Sequence, residues 1–115
     1  MIEIVTPLVL PSDYDEMERF IVSNKVKLTE HIISSVHYAV INDLSSIELF
    51  SFAKSDFIVV LEYSSFKDNV ENIYNFYLET ELYEFCKRVS QLKKLLDTHE
   101  QKKQKKRHKS KNSPE

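Results

Sequence analysis

The most regular hydrophobic pattern in the chain lies in its C-terminal third. Six apolar residues recur there at spacings of four and three: Leu78, Leu82, Phe85, Val89, Leu92 and Leu96. This is the period of one face of an α-helix. A second stripe accompanies only the first half of the segment, at Ile73, Phe76, Thr80 and Tyr83. We therefore predict one long helix over about residues 69–100. Its first half would lie in the core, and residues 85–100 would extend outward along a neighbouring helix, in this molecule or in another. The alternative is a long helix that belongs to the core throughout.

Two segments before this helix have the composition of β-strands. Residues 47–53 and 57–63 are rich in β-branched and aromatic residues, and Lys54-Ser55-Asp56 separates them, which predicts a hairpin. The second segment, FIVVLEY, is almost continuously apolar, as in strands covered on both faces inside a sheet. Asp68 and Glu71 have the spacing of a capping box, which predicts where the last helix begins.

The N-terminal half alternates between strand and helix signals. Residues 2–10 predict a short strand that Pro7 confines to a sheet edge. Ser12 or Asp13 would cap a helix ending near Asn24. A second helix would run from about Thr29 to Asn42-Asp43, although the β-branched residues of this segment leave a strand as the alternative. The fold class is therefore α+β. A small antiparallel sheet with the 47–63 hairpin is covered by helices, and one compact domain, residues 1–100, precedes a flexible basic tail, residues 101–115.

The composition excludes several kinds of site. None of the 115 residues is glycine, although phosphate-binding loops and nucleophile elbows need glycines where the backbone approaches a ligand or turns sharply. Asn and Asp must then supply the left-handed turn positions. The histidines lack metal-ligand spacing, and Cys86 has no second cysteine with which to bind zinc. We predict a protein without cofactor, metal or enzymatic activity.

Charge is divided sharply along the chain. Residues 1–100 hold nine basic and seventeen acidic residues, whereas residues 101–115 hold seven basic residues and one acid. The overall net charge of −2 conceals this division. Such an acidic body cannot bind a polyanion over its whole surface, but the cationic segment can reach one. It contains no aromatic residue, so phosphate contacts with little sequence preference are expected.

Two classes of function fit these features. The first is an accessory factor whose acidic body docks on a protein while its tail contacts RNA or DNA, with a ribonucleoprotein such as a ribosome as the favoured setting. The predicted nucleic-acid contacts are Lys102, Lys103, Lys105, Lys106, Arg107, Lys109 and Lys111. The same cations are also typical of a nuclear-localisation signal or of a tail that only improves solubility.

The second class is a protein–protein adaptor, assembly factor or inhibitor that acts through the long helix and has no role with nucleic acid. Its interface would be the seam of Phe85, Val89, Leu92 and Leu96, which would alternatively pair two copies of the chain. The longest apolar run, residues 57–61, is far shorter than the ~20 residues of a membrane span. We expect an intracellular protein, cytoplasmic or nuclear.

Overall fold

A computed structural model gives the fold, and it describes the backbone of residues 5–111 and the side chains of residues 5–102. The fold is α+β, as predicted. The elements in chain order are β1 (Leu8–Leu10), α1 (Tyr14–Ser23), α2 (Lys25–Ile41), β2 (Ser46–Phe52), β3 (Ile58–Glu62), a single 3₁₀ turn (Tyr63–Ser65), α3 (Phe66–Glu79) and α4 (Tyr83–Lys111). They form two compact units, one up to Asn69 and one from Val70 onward.

The sheet of the first unit has the order β1-β2-β3, and it is mixed rather than purely antiparallel. β2 and β3 form the predicted antiparallel hairpin, with Ile47 opposite Leu61. β1 pairs in parallel with β2, with Leu8 opposite Phe50. The predicted antiparallel sheet is wrong on this point because α1 and α2 lie between β1 and β2 and carry the chain back to start β2 in the same direction. β1 is an edge strand, as Pro7 predicted. Of the predicted strand 2–10, residues 2–4 lie outside the described part and residues 5–7 are not in a strand, so the strand is shorter than predicted.

A β-bulge in β2 brings the sheet against α2. Glu48 lies opposite Val60 and Phe50 lies opposite Val59, so Leu49 is one extra residue in the ladder. Leu49 is buried, and its carbonyl oxygen lies 2.7 Å from Nε2 of His31 on α2. The ring of His31 also packs against Phe50, with 5.6 Å between the ring centroids. His31 is therefore explained as a side chain that joins helix to sheet.

Short polar side chains set the ends of the first two helices. The side chain of Asp13 accepts a hydrogen bond from the backbone N–H of Glu16 (3.1 Å), which is the predicted N-cap of α1. α1 ends at Ser23, and the side-chain amide of Asn24 donates to the carbonyl of Phe20 (2.9 Å). α2 begins at once, at Lys25, earlier than the predicted start near Thr29.

The predicted single helix over residues 69–100 is replaced by two helices, and the break uses the same geometry that ends α2. At the break, Glu81 has φ of +60°, and the N–H of Leu82 donates to the carbonyl of Tyr77 (2.8 Å). At the end of α2, Asp43 has φ of +54°, and the N–H of Leu44 donates to the carbonyl of Ala39 (2.8 Å). Both are Schellman motifs, in which glycine normally takes the left-handed position.

The second unit is an antiparallel pair formed by α3 and α4. The Tyr77 and Phe85 rings near the break lie 5.3 Å apart, and Nζ of Lys93 lies 2.8 Å from a carboxylate oxygen of Glu71 further from it. Buried apolar residues follow both helices: Val70, Ile73 and Tyr77 on α3, and Cys86, Val89, Leu92 and Leu96 on α4. The predicted division of the C-terminal helix is therefore wrong, because burial continues through Leu96 while Leu82 in the break is only half-buried. α3 also begins at Phe66, ahead of the predicted capping box at Asp68.

Candidate functional site

The cationic segment continues the α4 helix. The backbone is helical through Lys111, so the predicted flexible tail is wrong for residues 101–111. Lys, Arg and Gln are good helix formers, and cations near a helix C-terminus interact favourably with the helix dipole. Lys102 is exposed. The side chains of the other predicted nucleic-acid contacts lie outside the described residues: Lys103, Lys105, Lys106, Arg107, Lys109 and Lys111.

The helical backbone concentrates the positive charge along the chain. At a rise of 1.5 Å per residue, residues 102–111 span about 14 Å, whereas an extended chain of this length would span roughly 30 Å. The segment holds seven Lys and Arg residues. The axial spacing is therefore about 2 Å per positive charge, close to the ~1.7 Å per negative charge of duplex DNA. A helix of this kind matches the charge density of a nucleic-acid backbone.

The α4 seam is covered within the chain itself. Val89, Leu92 and Leu96 are 1%, 3% and 5% exposed, and Phe85 is half-buried beside Tyr77. Lys93 adds polar contacts on this helix pair, since its Nζ bonds Glu71 and also lies 4.5 Å from the centroid of the Tyr74 ring. The sequence predicted a protein interface or homodimer through this seam on the basis of an exposed apolar stripe. Burial of the three aliphatic side chains removes that basis.

The described residues form no metal site. Within residues 5–102, no three His, Cys, Asp or Glu side chains come together in a way that could hold a metal ion. Cys86 is buried on α4 next to Phe85 and one helical turn before Val89, where a thiol serves as a small hydrophobic side chain. Asp15, Glu18, Arg19, Val22 and Ser23 border a surface cavity of about 460 Å³. All five lie on one face of α1, a helix that buries none of its residues.

The surface that sequence reasoning missed is β3. We predicted FIVVLEY inside the sheet with both faces covered, but β3 is an edge strand, and the exposed fractions of Phe57, Ile58, Val59 and Val60 are 77%, 47%, 40% and 48%. The prediction failed because a continuous apolar run is typical of central strands, and β2 takes the central position in this three-stranded sheet. The small number of strand segments in the sequence was the only signal that β3 could lie at an edge of the sheet.

Among the described residues, no helix is both long and apolar enough to span a membrane. Comparisons with protein-family models, with curated proteins and with solved structures find no match. The chain's own charge distribution and surfaces are therefore the basis for assigning a function.

Proposed function

We propose that the protein is a non-enzymatic binding factor that contacts RNA or DNA through residues 102–111, at the C-terminal end of α4, while its acidic remainder docks on a protein partner. A ribonucleoprotein such as a ribosome is the setting that this division of charge fits. The observation that carries the proposal is the placement of seven cations on ten residues of helical backbone, next to a body with a net charge of −8.

The acidic body limits how the protein can lie on a polyanion. Its seventeen acidic residues include Asp13, Asp15, Glu16 and Glu18 around the first turns of α1. A phosphate backbone would repel such a surface, so contact is confined to the cationic segment. Because only phosphates are engaged, affinity depends strongly on salt and weakly on sequence.

The salt dependence of binding tests this proposal quantitatively. Each phosphate contact contributes a slope of about −0.9 to a plot of log K against log salt on duplex DNA, so seven contacts give at most about −6. We expect fluorescence anisotropy with labelled duplex DNA and with RNA to give a slope between about −3 and −6, with similar affinities for unrelated sequences.

Two triple variants show whether the salt dependence comes from the cationic segment or from lysines elsewhere in the chain. Replacing Lys103, Lys105 and Lys106 with Gln removes three charges and keeps residues that favour helix. The control replaces Lys27, Lys87 and Lys94, three exposed lysines outside the segment, with Gln. The first variant should flatten the slope by about 2 to 3 units, and the control should leave it unchanged. Equal slopes for the two variants would refute the role of the segment.

The adaptor function through the long helix has less support, because its proposed interface is buried. Docking of the acidic body is tested by affinity purification of the full chain, with and without nuclease treatment. Protein partners that survive nuclease would support a direct protein contact, whereas loss of every partner would leave only the nucleic-acid contact.

A further inference from the structure

We infer that β3 is a pairing edge for a second copy of this chain, and that two β3 strands join antiparallel across a two-fold axis at Val60. The resulting sheet would have six strands, three from each copy. This interaction is independent of the cationic segment and of the nucleic-acid contact proposed above.

The backbone of β3 is oriented for such pairing. The N–H of Tyr63 donates to the carbonyl of Ser45 (2.9 Å), so Tyr63 belongs to a hydrogen-bonded pair of the β2–β3 ladder. Backbone groups in a strand point to alternate sides, so Ile58, Val60 and Glu62 direct their N–H and C=O groups away from β2. Within residues 5–111, β2 is the only strand that pairs with β3.

The side chains of β3 give the edge an apolar surface. Ile58 and Val60 share the sheet face opposite α2, because they lie across from Ser51 and Glu48, and both are about half exposed. Val59 is 40% exposed on the other face. An exposed apolar edge strand whose only charge lies at one end, as Glu62 does in β3, is prone to add another strand.

The length of β3 favours one register for a second copy. With the two-fold axis at Val60, the middle residue of β3, Ile58 faces Glu62 of the other copy, Val59 faces Leu61, and Val60 faces itself, so all five residues of each strand are paired. The two Glu62 carboxylates, the only charges of β3, then lie at opposite ends of the strand pair, where they do not repel each other. Moving the axis by one residue, to Val59 or to Leu61, would pair only three residues of each strand. The sequence of β3 is therefore complementary to itself in the register centred on Val60.

The small size of the interface predicts a reversible dimer. A pair of such short strands buries less than the ~800 Å² per partner of a standard interface, so a dissociation constant in the micromolar range or weaker is expected. Sedimentation velocity of the full chain over about 5 to 500 µM covers this range. Val60→Lys places two cations opposite each other at the axis and should weaken the dimer at least tenfold. The control is Val9→Lys, at a position 59% exposed on the same sheet face but on the opposite edge strand; it should leave dimerisation unchanged.

Cysteine cross-linking tests the register directly. In a Cys86→Ala background, Val60→Cys places two thiols on residues whose Cα atoms are about 5.5 Å apart, within the range of a disulfide. Ile58→Cys, at a similarly exposed position, would separate the two Cα atoms by at least about 13 Å. Under mild oxidation, we expect the Val60→Cys dimer to form at least ten times faster than the Ile58→Cys dimer.

Four outcomes would overturn the inference. A wild-type chain that stays monomeric throughout the concentration series would leave β3 to a strand of another protein or to solvent. A dimer that Val60→Lys and Val9→Lys weaken equally would lie elsewhere on the surface. Cross-linking at equal rates from both cysteine positions would exclude the register, and polydisperse aggregation in place of a dimer would exclude a defined pair.

Discussion

Truncation of Leu96 to Ala should destabilise the protein more than truncation of Leu82, although the two residues belong to the same sequence stripe. Leu96 is 5% exposed on α4, whereas Leu82 is half-buried in the break between α3 and α4. The change removes three carbons at each position. At ~0.8 kcal/mol per buried carbon, the transfer term for Leu96 is about 2.4 kcal/mol, and the residual cavity raises the cost to about 3 kcal/mol.

The cost at Leu82 should be close to 1 kcal/mol, because water already reaches part of the side chain and no closed cavity remains. Urea denaturation followed by ellipticity at 222 nm distinguishes the two values. With an m-value near 1.5 kcal/mol per molar, the midpoint should fall by about 2 M for Leu96→Ala and by less than about 1 M for Leu82→Ala.

Leu95→Ala is the matched control, because Leu95 neighbours Leu96 on the same helix but is half-buried. Helix propensity changes identically in the two α4 variants, so their difference reports burial alone. Equal midpoints for Leu95→Ala and Leu96→Ala, or a larger loss at Leu82, would refute the assignment of Leu96 to the buried face.

Three local contacts give further predictions. Glu81→Gly should raise the free energy of unfolding by up to ~1 kcal/mol, since glycine takes the left-handed conformation without steric cost, whereas Glu84→Gly inside α4 should lower it by a similar amount in the same thermal melt. Asp13→Ala should cost ~1 kcal/mol through loss of the N-cap, and Asp13→Asn should restore most of it; equal melting temperatures for the two would exclude a capping role. Glu71→Gln should cost no more than ~0.5 kcal/mol, because both side chains of its ion pair with Lys93 remain partly exposed to water, and a loss above 2 kcal/mol in urea would contradict this.

The sequence by itself determined those helix ends and strand pairs that depend only on residues close together in the chain. Asp13 was identifiable as a cap because its carboxylate needs only a backbone N–H three residues away, and Asn42-Asp43 was identifiable as a helix end for a similar reason. The hairpin of β2 and β3 also follows from adjacent segments. The cations of residues 102–111 were readable directly, because charge belongs to the residues themselves, although the helical conformation that compacts them was not predicted.

Tertiary structure decided the features that depend on distant partners. The break at Glu81 had no glycine to signal it, because Glu occupies the left-handed position while the backbone hydrogen bond from Leu82 N–H to the Tyr77 carbonyl holds the turn. The apolar run of β3 predicted a covered strand, but whether a strand is central or at an edge depends on how many others join the sheet and in what order. Burial of Leu96 likewise depends on parts of the chain that are distant in sequence, and a periodic stripe identifies an apolar face without identifying what covers that face.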